Sequence, residues 1–172
     1  VRALFERGLE HKIHIEAIND LSDFSTLAHL TRFDSTFGRF NGQVQQHDDT
    51  LQINDQSIRL LREREPVNLP WDRLGVDLVL ECSGKFKTRQ QVEQHLTAGA
   101  PRVLLSHPLE SADLTVVYGV NHQQLGSQQI VSNASCTTNC LAPLAMVLDQ
   151  TVGIRQGLIT TVHAYTNDQS LL

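Results

Sequence analysis

The chain opens on an amphipathic pattern. In VRALFERGLE, Val1, Leu4, Phe5 and Leu9 recur at helical spacing, and Gly8 lies near the predicted end. HIEAI, residues 14–18, alternates as a strand does and stops at Asn19-Asp20. A second helix fits Ser25 to Arg32, with Leu27, Leu30 and Phe33 along one side. From Gly42 to Leu61 the pattern shortens into extended pieces, with the turn former Asn54-Asp55 between two of them. Pro66 and Pro70 interrupt the next stretch. DLVLECSG, residues 77–84, predicts a buried strand ending on small residues. Thr88 is placed to cap a helix over TRQQVEQHL that ends at Gly99. RVLLS, residues 102–106, is a further strand stopped by Pro108, and LTVVYG and QIVSN are two more. Apolar strands alternating with helices predict a largely parallel α/β sheet. No internal repeat or low-complexity tract breaks this pattern.

Composition narrows the classes. The chain has 172 residues, enough for one domain and part of another, and 40% are apolar, enough for a core. The longest nearly apolar run, CLAPLAMVL at residues 140–148, is too short to span a bilayer. No signal-peptide pattern is visible, and the first valine falls inside a predicted helix. Net charge is −5, and Glu63 and Glu65 interleave with Arg59, Arg62 and Arg64, so neither a nucleic-acid face nor a membrane partner is expected. Three cysteines argue against a disulfide framework and for a reducing compartment, which points to the cytoplasm.

Asp20 is the first candidate for chemistry. It ends a strand that comes after a helix, where a dinucleotide-binding fold places the acid that bonds the adenosine ribose. Such an acid lies about 20 residues beyond a Gly-rich phosphate loop. The chain holds no G-x-G, and the expected position of that loop lies just upstream of Val1. Two readings stay open: an ordinary turn carboxylate, or a nucleotide-binding chain truncated at its front. Ser83-Gly84 and Ser106 also end parallel-looking strands, on the side where open α/β sheets bind ligands. Small polar residues also end many strands that bind nothing.

SNASCTTNC, residues 132–140, raises a sharper question. A packing cysteine sits among apolar neighbours, whereas Cys136 stands among Asn133, Ser135, Thr137, Thr138 and Asn139, with an apolar run directly after. That is the polar start of a helix. A helix N-terminus favours an anion, and the thiolate is the nucleophilic form of cysteine. Downstream, LITTVHAYTN predicts a strand with Thr161, His163 and Tyr165 on one face. A helix that turns at Gly153 into this strand allows His163 to return beside Cys136 as a base; the competing reading is a hydrogen-bonded sheet histidine. Cys140 shares a helical face with Cys136, so a metal or redox pair is an alternative, although no second cysteine pair supplies four ligands. Packing against the core is the expectation for Cys140 and Cys82. Pro143 is expected to kink the helix or shift its start.

With SNASCTTNC, the stretches INDLSD, VDLVLECSGKF, VVYGVN and TTVHAYTND make the chain resemble, from end to end, the phosphorylating glyceraldehyde-3-phosphate dehydrogenases. The resemblance implies an internal fragment: a Rossmann-type NAD-binding domain over 1–135 without its first strand and Gly-rich loop, then the start of an α+β catalytic domain over 136–172. It implies NAD as cofactor, a sugar-phosphate aldehyde and inorganic phosphate as substrates, and a homotetramer when full-length. Cys136 would be the nucleophile, forming a thiohemiacetal and then a thioester, and His163 its base. Ser135, Thr137 and Thr166 match phosphate-binding positions. Asp20 matches the ribose acid, whose charge disfavours NADP. Leu21 and Phe86 match the pair around adenine, and Arg64, Ser83, Gly84 and Ser106 match other cofactor-lining positions.

Two departures qualify the resemblance. The nucleotide loop and the later substrate residues are absent, so the fragment alone is expected to be inactive. LSHP at residues 105–108, with LPW at residues 69–71, is similar to the erythrose-4-phosphate dehydrogenase branch, in which water resolves the thioester. HAYTND instead resembles the phosphorylating branch, and the triose substrate is preferred. A non-catalytic binding or regulatory protein on the same fold is the alternative of another class.

Overall fold

The computed structural model describes residues 1–164. In chain order the elements are α1 (Arg2–Glu6), β1 (Ala17–Asn19), α2 (Phe24–Arg32), β2 (Phe33–Asp34), β3 (Gly38–Arg39), β4 (Val44–His47), β5 (Thr50–Ile53) and β6 (Gln56–Leu61). They continue with α3 (Trp71–Leu74), β7 (Val79–Glu81), α4 (Arg89–Thr97), β8 (Val103–Leu105), β9 (Leu114–Thr115), β10 (Ile130–Ser132) and α5 (Cys136–Val152). The chain divides into two compact units. The first comprises Val1–Val79 and Val92–Pro101; the second comprises Leu80–Gln91 and the chain from Arg102 on.

The first unit carries a four-stranded sheet in the order β1-β6-β5-β4. Strands β1 and β6 are parallel, with Ile18 opposite Leu60, while β6, β5 and β4 form an antiparallel meander. The sheet is therefore mixed, whereas the alternation of apolar strands with helices predicts a largely parallel one. The reason is local. Asp48-Asp49 and Asn54-Asp55 make two-residue reversals, and Asp48 and Asn54 take φ of 46° and 50°. Asn and Asp tolerate that left-handed backbone because their short polar side chains bond locally. Phe5, Ala28, Phe40, Val44, Leu51, Ile53, Ile58 and Leu60 form the core beneath this sheet. Helix α2 turns only part of its predicted stripe inward: Leu30 is 58% exposed, and Phe33 leaves the helix to begin β2.

The second unit is built on a sheet in the order β7-β8-β10-β9, and β10 runs parallel to both β8 and β9. Val103, Leu105 and Ile130 are fully buried in it. DLVLECSG forms a strand only over Val79–Glu81, and it is buried on one side alone: Leu78 and Leu80 are 46% and 61% exposed. The period of two points Val79 and Glu81 inward and leaves the intervening leucine out. Thr88 caps α4 as predicted. Its Oγ1 accepts the Gln91 N–H at 3.4 Å, and Gln91 Oε1 accepts the Thr88 N–H at 3.1 Å, a reciprocal capping box.

Helix α5 runs unbroken for 17 residues with Pro143 inside it, so the proline does not shift its start from Cys136. Gly153 ends the helix at φ 73°. Over the described part of the strand predicted after it, residues 158–164 carry no regular structure and pair with no neighbouring strand among the described residues; Tyr165 lies outside the described residues. A β pattern becomes a strand only when it pairs with an edge, and residues 158–164 pair with none among the described residues. Among the described residues, no helix is long and apolar enough to cross a membrane.

Candidate active site

Cys136 occupies the first position of α5. Ser135 is the N-cap, its Oγ accepting the Thr138 N–H at 3.0 Å and lying 2.8 Å from Thr138 Oγ1. The Asn139 amide reaches back across the first turn. Its Nδ2 donates to the Asn133 and Ser135 carbonyls at 2.7 and 2.9 Å. The turn before the cap is held from below. Asn133 N–H donates to Leu105 O at 2.9 Å, and buried Ser132 donates through Oγ to His107 O at 2.9 Å while accepting the Ala134 N–H at 3.1 Å.

Between these anchors, buried Ala134 adopts φ 59°. A left-handed non-glycine residue costs about 1–2 kcal/mol and persists only where its surroundings dictate it. The bonds of Ser132, Asn133 and Asn139 dictate it here, and together they hold Cys136 at the surface, where its thiol is free. At this first helical position the Cys136 N–H has no intrahelical carbonyl to bond. The arrangement suits a thiol nucleophile with a backbone donor beside it.

His163 comes to the same turn. Its Nε2 lies 3.1 Å from Thr137 Oγ1, on the residue after Cys136, and the ring is exposed. Among the described residues, no hydrogen bond joins the imidazole to the Cys136 sulfur. His163 thus reaches the residue next to Cys136, without the predicted strand. Thr166 lies outside the described residues. Cys82 and Cys140, expected to pack inside, are both exposed and free. Cys82 falls just past the last residue of β7, and α5 buries none of its residues.

The residues matched to a cofactor divide between the units. In the first, Asp20 comes directly after β1 and Arg64 shortly after β6, so both lie beyond the carboxyl ends of a parallel pair. Asp20 N–H bonds Leu61 O at 3.0 Å, and its Oδ1 accepts the Ser22 N–H at 2.8 Å, so the carboxylate also makes an ordinary Asx turn. Leu21 and Arg64 are exposed. The reciprocal pair between the Asn19 side chain and the Glu63 backbone, 2.8 Å each way, locks these two strand ends together.

In the second unit, Ser83, Gly84 and Phe86 form the loop after β7, and Ser106 comes directly after β8. Ser106 N–H bonds Glu81 O at 3.0 Å, bringing the two strand ends together. Buried Glu81 accepts from Ser83 through both N–H and Oγ, at 2.7 and 2.5 Å, and Ser83 Oγ accepts the Lys85 N–H at 3.2 Å. The Ser83 hydroxyl therefore builds the loop. Gly84 needs its lack of Cβ, for it sits at φ 66°.

Sequence reasoning missed Glu81, Ser132, Ala134 and Asn139. An acid at an inward position directly before C-S-G, and an Asn one turn into a capped helix, were the available signals.

An acid directly after a parallel strand in the first unit and, in the second, parallel strands ending on small polar residues with a thiol at a helix start are features of an α/β protein of the dinucleotide-binding class. Residues 1–89 match the family model described as glyceraldehyde 3-phosphate dehydrogenase, NAD binding domain, and residues 135–172 match that of the C-terminal domain. The chain belongs to the glyceraldehyde 3-phosphate dehydrogenase family. It is 53% identical over its whole length to a glyceraldehyde-3-phosphate dehydrogenase of Xanthobacter flavus, covering 51% of that protein. It is 50% identical to that of Pseudomonas aeruginosa and 47% to that of Streptomyces coelicolor, with 99% of the chain and 52% and 51% of the relatives covered. The chain spans about half the length of the curated relatives it matches.

Proposed function

We propose that the full-length protein containing this chain oxidises glyceraldehyde 3-phosphate with NAD and captures the acyl group with inorganic phosphate. The observation that carries this reading is Cys136 on the first turn of α5, with His163 bonded to the adjoining Thr137. Cys136 Sγ adds to the aldehyde carbon and gives a thiohemiacetal. His163 would take the hydroxyl proton, and NAD, when bound, would supply the hydride acceptor that turns the thiohemiacetal into a thioester. The Cys136 N–H steadies the developing oxyanion. Ser135, Thr137 and Thr166 bind phosphate oxygens, and phosphate attack on the thioester restores the thiolate.

NAD would be held by Asp20 at the ribose, by Leu21 and Phe86 at adenine, and by Arg64, Ser83, Gly84 and Ser106 elsewhere. On this reading the NAD-binding domain extends over 1–135, the catalytic domain begins at 136, the enzyme is a cytoplasmic homotetramer, and the isolated chain does not turn over.

A second reading, oxidation of erythrose 4-phosphate with hydrolysis of the thioester, rests on His107 and on the LPW stretch. Both stretches also hold the fold together. Leu69 and Trp71 are buried, and Trp71 donates through Nε1 to His95 Nδ1 at 3.1 Å, a core role. His107 bonds the Phe86 carbonyl. The test is NADH formation by the full-length enzyme with each aldehyde, with and without phosphate. Phosphate-dependent turnover of the triose supports the first reading; phosphate-independent turnover of the tetrose replaces it with the second.

A further inference from the structure

The loop from Cys82 to Thr88 is tied at each end by its own neighbours. Ser83 bonds Glu81, and Gln91 Oε1 accepts the Lys87 N–H at 2.9 Å. In its middle, Phe86 is tied across 21 residues of sequence to His107, whose Nε2 lies 3.0 Å from the Phe86 carbonyl. A carbonyl only accepts, so the ring carries its hydrogen on Nε2. The other ring nitrogen, Nδ1, is buried and has no hydrogen-bond partner among the described residues. The directional hold of this imidazole therefore rests on the one bond to Phe86.

The main chain of the same residue is fixed independently. Its carbonyl accepts from Ser132 Oγ, the group that also holds Ala134 two residues before Cys136. The backbone at 107 is anchored to the nucleophile loop whatever side chain it carries, and the imidazole reaches out from there to the Phe86 loop.

We infer that His107 is a positioning residue: through Nε2 it sets the Phe86 wall of the cofactor site in register with the loop that presents Cys136. The inference rests on the proposed reading of Phe86 as a cofactor-lining residue. His107 touches neither substrate nor reacting atoms in this role, so its loss weakens cofactor binding and leaves the chemical step intact.

The experiment compares His107→Ala, His107→Asn and His107→Gln in the full-length enzyme. Glutamine carries its amide nitrogen about as far from the backbone as Nε2, whereas asparagine stops near the Nδ1 position. One lost hydrogen bond corresponds to a change of roughly 3- to 10-fold in affinity. Alanine and asparagine are expected to raise the KM and Kd for NAD by about that factor, with kcat and the aldehyde KM within about twofold of wild type. Glutamine is expected to restore NAD binding to within about twofold. An unchanged NAD Kd in the alanine variant overturns the inference, and so does glutamine performing no better than asparagine. Failure of all three variants to fold makes His107 a packing residue and overturns it as well. Wild-type enzyme that does not bind NAD sinks the cofactor reading itself, an outcome distinct from unaltered variants of an NAD-binding enzyme.

Discussion

The two ends of α5 are built on different principles. Its first turn is fastened by directional bonds: the Ser135 cap, the Asn139 clasp, and Ser132 beneath Ala134. Its second half carries Leu144, Val147, Leu148 and Val152, between 44% and 78% exposed, and buries none of them. Polar geometry thus holds the thiol in place where apolar burial contributes little. Hydrogen bonds fix angle and distance, whereas burial is non-directional. A site whose reacting atoms must be placed within a fraction of an ångström is better served by the first.

Substitutions at the two ends break or sharpen this contrast. The largest effect belongs to Cys136→Ser in the full-length enzyme, expected to lower kcat by at least about a thousandfold, because a hydroxyl is a far weaker nucleophile at neutral pH. Residual activity near wild type would show that another group does the chemistry. Ser132→Ala orphans the Ala134 N–H in a buried turn, which costs about 1–3 kcal/mol. A lowered urea midpoint by circular dichroism, together with a kcat reduced several-fold, is expected.

Asp113 sharpens the comparison elsewhere in the second unit. Its carboxyl is held below the ordinary value of 3.8, first by the Ile130 N–H and also by Arg89 and the Gln129 N–H, against the opposing effect of burial. A lowered folded value means that the stabilisation is present above pH 3.8 and is lost as pH falls through the folded value beneath it. Asp113→Asn is therefore expected to flatten the acid limb of stability against pH below about 4, as read from urea melts at several pH values. An identical acid limb in the variant would count against the assignment.

Ala134→Gly removes the left-handed penalty at some cost in chain entropy, for a net gain of about 0.5–1 kcal/mol, while Ala134→Val should destabilise. The smallest effect is expected at the far end of α5. Val147→Gln should change the stability of this chain by less than about 0.5 kcal/mol, and a larger loss in its urea midpoint would show that this face is packed after all.

Much of this is legible in the chain itself. The polar run before CLAPLAMVL places the start of α5, and the T-x-x-Q spacing places the cap of α4, because caps are local chemistry written within four residues. The Asn-Asp and Asp-Asp reversals are equally local, yet only Asn54-Asp55 stands out as a turn former, and one reversal does not reveal a meander. His163 stands out by its type and its place after α5, but over the described residues its strand is not realised, since pairing depends on a partner edge that no single segment specifies. Ser132 stays hidden for the same reason: its role lies in a bond to His107, 25 positions away.

The chain has one tryptophan, and it lies in the first unit, 6% exposed, with its indole N–H on His95. Its emission is thus an intrinsic beacon for that unit alone, while the second unit, with the helix that bears Cys136, is optically silent at those wavelengths. Unfolding tracked by indole fluorescence and by far-ultraviolet dichroism gives coincident curves only if the two units melt as one.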